Sequence, residues 1–431
     1  MPEFNQMQLQ LRQPAKKLIA AALLCLSAAY LTLSTAQFLA AHSAGVADAP
    51  HLRRAVWLDP GNAEYRYRMG RYELLAQQSP QTALPWLESA TALNPHRARY
   101  WIDLAIARES LGDTAPEKQA LQHALSADPR TPDIAWQAAN LYLAQGSADD
   151  AMREYGVVLR NDPSLTLPAI NTCWKIRPDI DFLLDNVVPS NTNEVFLDFL
   201  VSKNEPAAAA KVWGRMFSSQ QPVDRGHLFE YMRHLIAHRD VSQAALVWQQ
   251  AASLSGLAAY QGSPENLLVN GDFSLEILNG GFDWMHQKVR GVNLALDPNE
   301  THSSSRSLRV VFDGPGIEDA GIRQLVPVEP GTSYEFSGFY KAQEMDGAGG
   351  PQLAVQDLSH ETLFFMSEEL RDADFWKKTG GRFTTGPDTH LIVVRIARVP
   401  AGSPIRGKLW IDGLKLVRSE DLPTSAKKEM P

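Results

Sequence analysis

Hydrophobic and polar positions change their rhythm twice along this chain of 431 residues. From Leu18 to Ala41 there is no rhythm, because all 24 residues are uncharged and most are apolar. From His51 to Leu257 apolar residues recur every three to four positions, as in Trp86-Leu87-Glu88-Ser89-Ala90-Thr91-Ala92-Leu93. That is the period of a helix with one buried face. After Gly262-Ser263-Pro264 the period falls to two. Ser307-Leu308-Arg309-Val310-Val311-Phe312 then sets Leu308, Val310 and Phe312 on one face of a strand. Similar runs span Ser333–Tyr340, Gln352–Leu358, Gly381–Thr385, His390–Val399 and Lys408–Arg418, with Gly, Pro, Asn and Asp between them. Eight or more short strands in about 155 residues predict a β-sandwich.

The first segment is long enough to cross a bilayer, which takes about 20 helical residues. Arg12, Lys16 and Lys17 precede it, and the next charge is Asp48. Retention of cations on the cytoplasmic side predicts a cytoplasmic tail over 1–17, a span over 18–41 and export of the remainder. The expected location is the inner membrane, single-pass, with the bulk extracytoplasmic or periplasmic. A cleaved signal is the alternative, since Ser34-Thr35-Ala36 offers small residues for cleavage and a mature start near Gln37. A lipoprotein signal at Cys25 is excluded. Leu24 occupies the place of a small residue, and the apolar run continues for 16 residues.

The helical region repeats. Leu58-Asp59-Pro60, Leu93-Asn94-Pro95, Ala127-Asp128-Pro129 and Asn161-Asp162-Pro163 place prolines 35, 34 and 34 residues apart. Proline there suits a turn between helices, because it cannot continue the first and is preset for the start of the next. Ala83 and Ala151 fall at one small position, Leu87, Leu121 and Tyr155 at a large one four residues on, and Ala90 and Ala124 at the next small one. Trp101, Leu104, Ala105, Ala139 and Tyr142 fit the partner helices, whereas Glu117, Val158 and the stretch around Tyr67 and Gly70 depart. This pattern resembles the tetratricopeptide repeat (TPR) family. Ala209–Trp213 and Ala244–Trp248 are again 35 apart and extend the helical solenoid across 42–257. The resemblance implies a curved inner surface that holds a protein partner. A structural spacer is the alternative.

Composition narrows the rest. The chain is 44% hydrophobic and 21% charged, enough for a sizeable core. A net charge of −8 argues against a general nucleic-acid binder. Two cysteines, Cys25 and Cys173, exclude a disulfide scaffold, a Cys-rich zinc module and an iron–sulfur protein. There is no Gly-Lys-Ser/Thr phosphate loop and no Gly-x-Ser-x-Gly elbow. His234 and His238 share a helix face after Glu230, but Leu235 stands where a zinc protease motif needs Glu. No reaction is assigned, and a non-enzyme is expected.

Several C-terminal segments carry a second resemblance. Asn266-Leu267-Leu268-Val269-Asn270-Gly271-Asp272-Phe273-Ser274, Gly280-Gly281-Phe282-Asp283-Trp284, Pro330–Tyr334, Phe375–Thr385 and Gly407–Leu416 resemble jelly-roll carbohydrate-binding modules of the galactose-binding-like group. After a linker at 258–264, this domain covers 265–418, and a disordered tail is expected over 419–431. In the strand from Ser333, alternation sends Tyr334, Phe336 and Tyr340 inward with Leu353 and Val355. A concave face bearing Arg323, Glu335, Phe339, Gln356 and Arg395 is the candidate sugar platform. The alternative is a solvated sheet face. Trp284, Trp376 and Trp410 are expected in the core. The resemblance also implies a structural calcium, with Asp272, Glu276 and Asp412 as hard oxygen ligands; simple turn capping is the alternative. The whole reads as a membrane-anchored, exported scaffold that recruits protein on the solenoid and glycan on the sandwich, in envelope or exopolysaccharide assembly or export. A purely structural assembly scaffold without sugar binding is the alternative.

Overall fold

A computed structural model describes residues 13–419. Arg12, most of the expected cytoplasmic tail and 420–431 of the expected C-terminal tail lie outside the described residues. The chain divides into two compact units, 1–192 and 193–431.

The first unit is all helical. Helix α1 (Gln13–Ala44) opens with Lys16 and Lys17 and is predominantly apolar after them, and Leu24, Tyr30 and Phe38 are exposed. It is long and apolar enough to cross a membrane. Then follow α2 (Ala49–Leu58), α3 (Ala63–Arg71, prolonged by a π-turn to Ala76), α4 (Pro80–Leu93), α5 (Ala98–Glu109), α6 (Thr114–Ala127), α7 (Pro132–Ala144), α8 (Ala148–Asn161), α9 (Thr166–Ile176) and α10 (Ile180–Asn186). The helices of α3/α4, α5/α6 and α7/α8 pack as adjacent pairs, and the repeated prolines Pro60, Pro95, Pro129 and Pro163 lie in the turns that flank these pairs. Asp48, Asn62 and Asp162 cap following turns by accepting backbone N–H groups, which replaces bonds a helix start lacks. Ala83, Ala90, Ala120 and Ala124 are fully buried beside Leu87, Leu104 and Leu121. Small side chains there let neighbouring helices approach closely.

Two of the departures from the repeat pattern, Glu117 and the stretch around Tyr67 and Gly70, have physical explanations. Glu117 is buried, and its Oε1 accepts Gln145 Nε2 at 2.6 Å. Gly70 lies against Leu87, where a Cβ would meet the leucine side chain at 2.7 Å. Tyr67 stacks on Tyr100 at 4.4 Å, and Arg71 Nε lies 3.2 Å from buried Asp103. Burial pushes the Asp103 carboxyl above its ordinary range.

The second unit joins helices to a sandwich. Its helices are α11 (Asn193–Ser202), α12 (Pro206–Ser218), α13 (Arg225–Ala237) and α14 (Val241–Leu254). The helical hairpins after residue 193 are thus grouped with the β-domain and not with the earlier repeats. The strands are β1 (Met285–His286), β2 (Val292–Asp297), β3 (Ser307–Asp313), β4 (Asp319–Pro327), β5 (Ser333–Gly347), β6 (Pro351–Asp357), β7 (Leu363–Met366), β8 (Ala373–Thr384), β9 (Leu391–Arg398) and β10 (Ile405–Arg418). They form two antiparallel sheets, ordered β1-β4-β9-β6-β7 and β2-β3-β10-β5-β8. Between them lie Trp284, Tyr334, Phe336, Tyr340, Leu353, Val355, Ile392 and Val394. The period-two reading therefore assigned the inward residues of β5 and β6 correctly.

Helices α13 and α14 lie against the Gly280-Gly281 turn. A Cβ on Gly280 would collide with the Phe229 ring, and one on Gly281 with Trp248. Gly281 also has φ +63°, which glycine adopts without strain. Trp248 Nε1 donates to the Tyr260 carbonyl at 2.9 Å, and Tyr260 Oη to the Glu276 carbonyl at 2.9 Å. These contacts fix α13 beside the sheet that carries β4.

Candidate functional site

Strand alternation projects Arg323 and Leu325 of β4, Val393 and Arg395 of β9 and Gln356 of β6 from the outer face of the first sheet. Arg323 stands directly opposite Arg395 in the β4–β9 ladder. Like charges in that position repel. Local structure offsets this at Arg395. The register shifts between Asp319 and Arg323, with Gly321 at φ +78°. The irregularity brings Asp319 beside Arg395, whose Nη1 donates to Oδ2 at 2.8 Å. The other Asp319 oxygen accepts Gly321 N–H at 2.6 Å. Arg395 Nε and Nη2 both donate to Gln356 Oε1, at 3.2 and 3.1 Å. The result is a cleft of about 450 Å³ floored by Arg323, Gln356 and Arg395 and walled by Asn279, His286 and Gln287. That volume suits a small ligand.

The five expected platform residues do not share one face. Glu335 and Phe339 lie on β5, in the opposite sheet. Glu335 is bonded to Arg382 Nε at 3.3 Å. Phe339 is covered by the His302 ring, with centroids 3.8 Å apart and planes within 22°. Alternation tells which residues leave the core, but non-local strand pairing decides from which sheet they leave. Trp284 and Trp410 are buried as expected. Trp376 is half-exposed on the outer face of β8 near His302, outside the core.

The expected calcium ligands are separately committed. Asp272 Oδ1 accepts the N–H and hydroxyl of Ser274 in its own turn. Glu276 pairs with Arg306 Nη1 at 2.5 Å. Asp412 Oδ2 accepts the N–H groups of His302 and Ser303, each at 2.7 Å. The buried Asp412 Oδ1 has no partner, but one oxygen is far from the six to eight that calcium takes, roughly speaking. Among the described residues no three His, Cys, Asp or Glu side chains gather as a metal site. The three carboxylates are thus not gathered as a side-chain metal cluster. The His234 and His238 rings lie 4.2 Å apart at a tilt of 41°, and among the described residues no third metal-ligating side chain joins them.

Sequence reasoning missed Asp319, Asn279, His286 and Gln287. A carboxylate four residues before Arg323 gave no signal, because only the strand irregularity turns it toward Arg395. Asp283 belongs to the Gly280–Trp284 segment, whose pattern gives no sign of its burial. It is fully buried, its Oδ2 accepts Leu278 N–H at 2.7 Å, and burial pushes its carboxyl up to about 6.

The fold is an array of helical pairs followed by a two-sheet antiparallel β-sandwich. No protein-family model matches the chain. No curated protein matches it in sequence. Among solved structures, it is similar to a CBM4 module (13% identity over 35% of this chain and 99% of that one, TM-score 0.27). It is also similar to a family 16 carbohydrate-binding module (19%, 36% and 100%, TM-score 0.26). A third similarity is to MamA (16%, 38% and 81%, TM-score 0.28).

Proposed function

We propose that this protein is a non-enzymatic, membrane-anchored scaffold that binds glycan on the β4–β9–β6 face and protein on its helical array. One observation carries the glycan reading. Arg395 is locked by Asp319 and Gln356 at the floor of a cleft, with donors left over. Three of its five N–H groups are used, and Gln356 keeps its amide N–H groups. Preset planar donors suit saccharide oxygens, since little side-chain freedom is lost on binding. Export fits the apolar helix α1 and the lysines at its start. Residence in the inner membrane with a periplasmic bulk, and a role in envelope or exopolysaccharide assembly, complete the reading.

The detergent-solubilised full chain is expected to bind a subset of a glycan array. Arg395→Gln should weaken that binding at least about tenfold with the thermal transition preserved, as loss of a charge-assisted bond implies. Undiminished binding by this variant would remove the cleft from the site. A reporter fused after Pro431 is expected to be active only outside the cytoplasm. Cytoplasmic activity would overturn export. N-terminal sequencing that finds a mature start near Gln37 would replace the anchor with a cleaved signal.

The second reading is a protein-binding scaffold without sugar. It is favoured by Phe375, 84% exposed on β8 at the edge of its sheet. A large apolar side chain on a sheet edge suits a protein contact. Failure of every glycan would leave this reading in place.

A further inference from the structure

The cleft on the first sheet continues beneath helix α13. A second cavity of about 320 Å³ shares Asn279, Met285, Arg323 and Leu358 with it, so the two adjoin. Their chemistry differs. The first half is polar. The second is lined by Phe229, Met232 and Ile236 of α13 facing Leu325 and Leu358. Arg323 lines both halves, and its exposed side chain has no hydrogen-bond or ion-pair partner among the described residues.

Donors outnumber acceptors at the junction. Asp319 is neutralised by Arg395 at 2.8 Å. The Oε1 of Gln356 is already taken by Arg395, and the Oδ1 of Asn279 by the His286 N–H at 2.8 Å. What remains for a ligand is the Arg323 guanidinium, two N–H groups of Arg395 and the amide N–H groups of Gln356 and Asn279, while Gln287 and His286 on the wall offer one acceptor each. The only other carboxylate on the lining, Glu361, is exposed. A hydroxyl would use one donor and bring a proton of its own that finds few acceptors. A carboxylate accepts from several donors and brings none. Its bidentate geometry also matches a guanidinium fork.

We propose that the cleft binds an acidic saccharide of the uronate class, its carboxylate on Arg323 and an apolar ring face on Ile236 and Phe229 of α13. This rests on the glycan reading above and adds two things: the charge of the sugar, and a wall of the site that comes from the helical part of the chain. The β-sandwich cut out at residue 264 would lack that wall.

The test uses the full chain in detergent micelles and isothermal titration. The probes are galacturonate, mannuronate–guluronate and glucuronate oligosaccharides, each paired with its carboxyl-reduced counterpart. At least one acidic probe is expected to bind about tenfold or more tighter than its reduced form, and to weaken as salt is raised. Arg323→Gln should lower acidic binding about 10- to 100-fold and leave the reduced form's binding unchanged. Arg323→Lys should restore part of the loss. Ile236→Ser should weaken acidic and reduced forms alike, with an unaltered thermal transition. Equal binding of acidic and reduced probes, indifferent to Arg323→Gln, would overturn the acidic assignment and leave glycan binding standing. Indifference to Ile236→Ser would overturn the helical wall. Binding of none of these probes, while the glycan array records neutral sugars, overturns the acidic assignment alone. Binding of no saccharide in either assay overturns both readings.

Discussion

Replacing Trp284 by alanine is expected to lower the thermal transition of the second compact unit by about 10 °C or more. Trp284 is 2% exposed and belongs to the core between the two sheets. Its ring lies 5.2 Å from that of Phe273, and its Nε1 donates to the Asn270 carbonyl at 3.1 Å. Removal leaves a cavity lined by rigid strands, which costs roughly 3–5 kcal/mol for a buried tryptophan. It also removes one of the two hydrogen bonds that the Asn270 carbonyl accepts, the other coming from the Phe273 N–H at 3.1 Å. Trp284→Phe separates the two terms. It keeps most of the packing and loses the bond, so its cost should stay near about 1–3 kcal/mol. Differential scanning calorimetry of the solubilised chain checks both variants. A transition unmoved by Trp284→Ala would mean that the ring does not fill this core.

Ala124→Trp is expected to lower the transition of the first unit. Ala124 sits on α6 with no exposed surface, in the cluster that includes Leu87, Leu104 and Leu121. Its methyl group marks a point of close helix approach. An indole there must push backbone apart, and overpacking costs about 1–3 kcal/mol. That corresponds to a shift of roughly 2–12 °C for units of this size. Ala124→Ser should move the transition much less, because it adds one small atom. A full-height transition for the tryptophan variant would mean that the helix register is wrong.

Much of the architecture was legible. The Pro60, Pro95, Pro129 and Pro163 spacing marked the turns between successive helical pairs, because proline and the period of an amphipathic helix are local properties. The inward set Tyr334, Phe336, Tyr340, Leu353 and Val355 was legible for the same reason. A pleated strand alternates, and the core takes the apolar side. The site was legible only in part. Arg323, Gln356 and Arg395 were chosen as charged or amide groups interrupting apolar strands, and they meet in one cleft. Glu335 and Phe339 carried the same local signal and lie on the other sheet.

The sequence by itself determined the elements, their buried faces and the change from helix to sandwich. These follow from periodicity and turn chemistry within a few residues of each position. It also determined that α1 is apolar enough to span a bilayer. Only the tertiary structure decided which strands are neighbours, that Asp319 clasps Arg395, that His302 covers Phe339 and that α13 walls the cleft. Those relations join residues far apart in the chain. They depend on how two sheets and a helix pair bury their apolar faces together, and no local pattern of hydrophobic and polar residues encodes that choice.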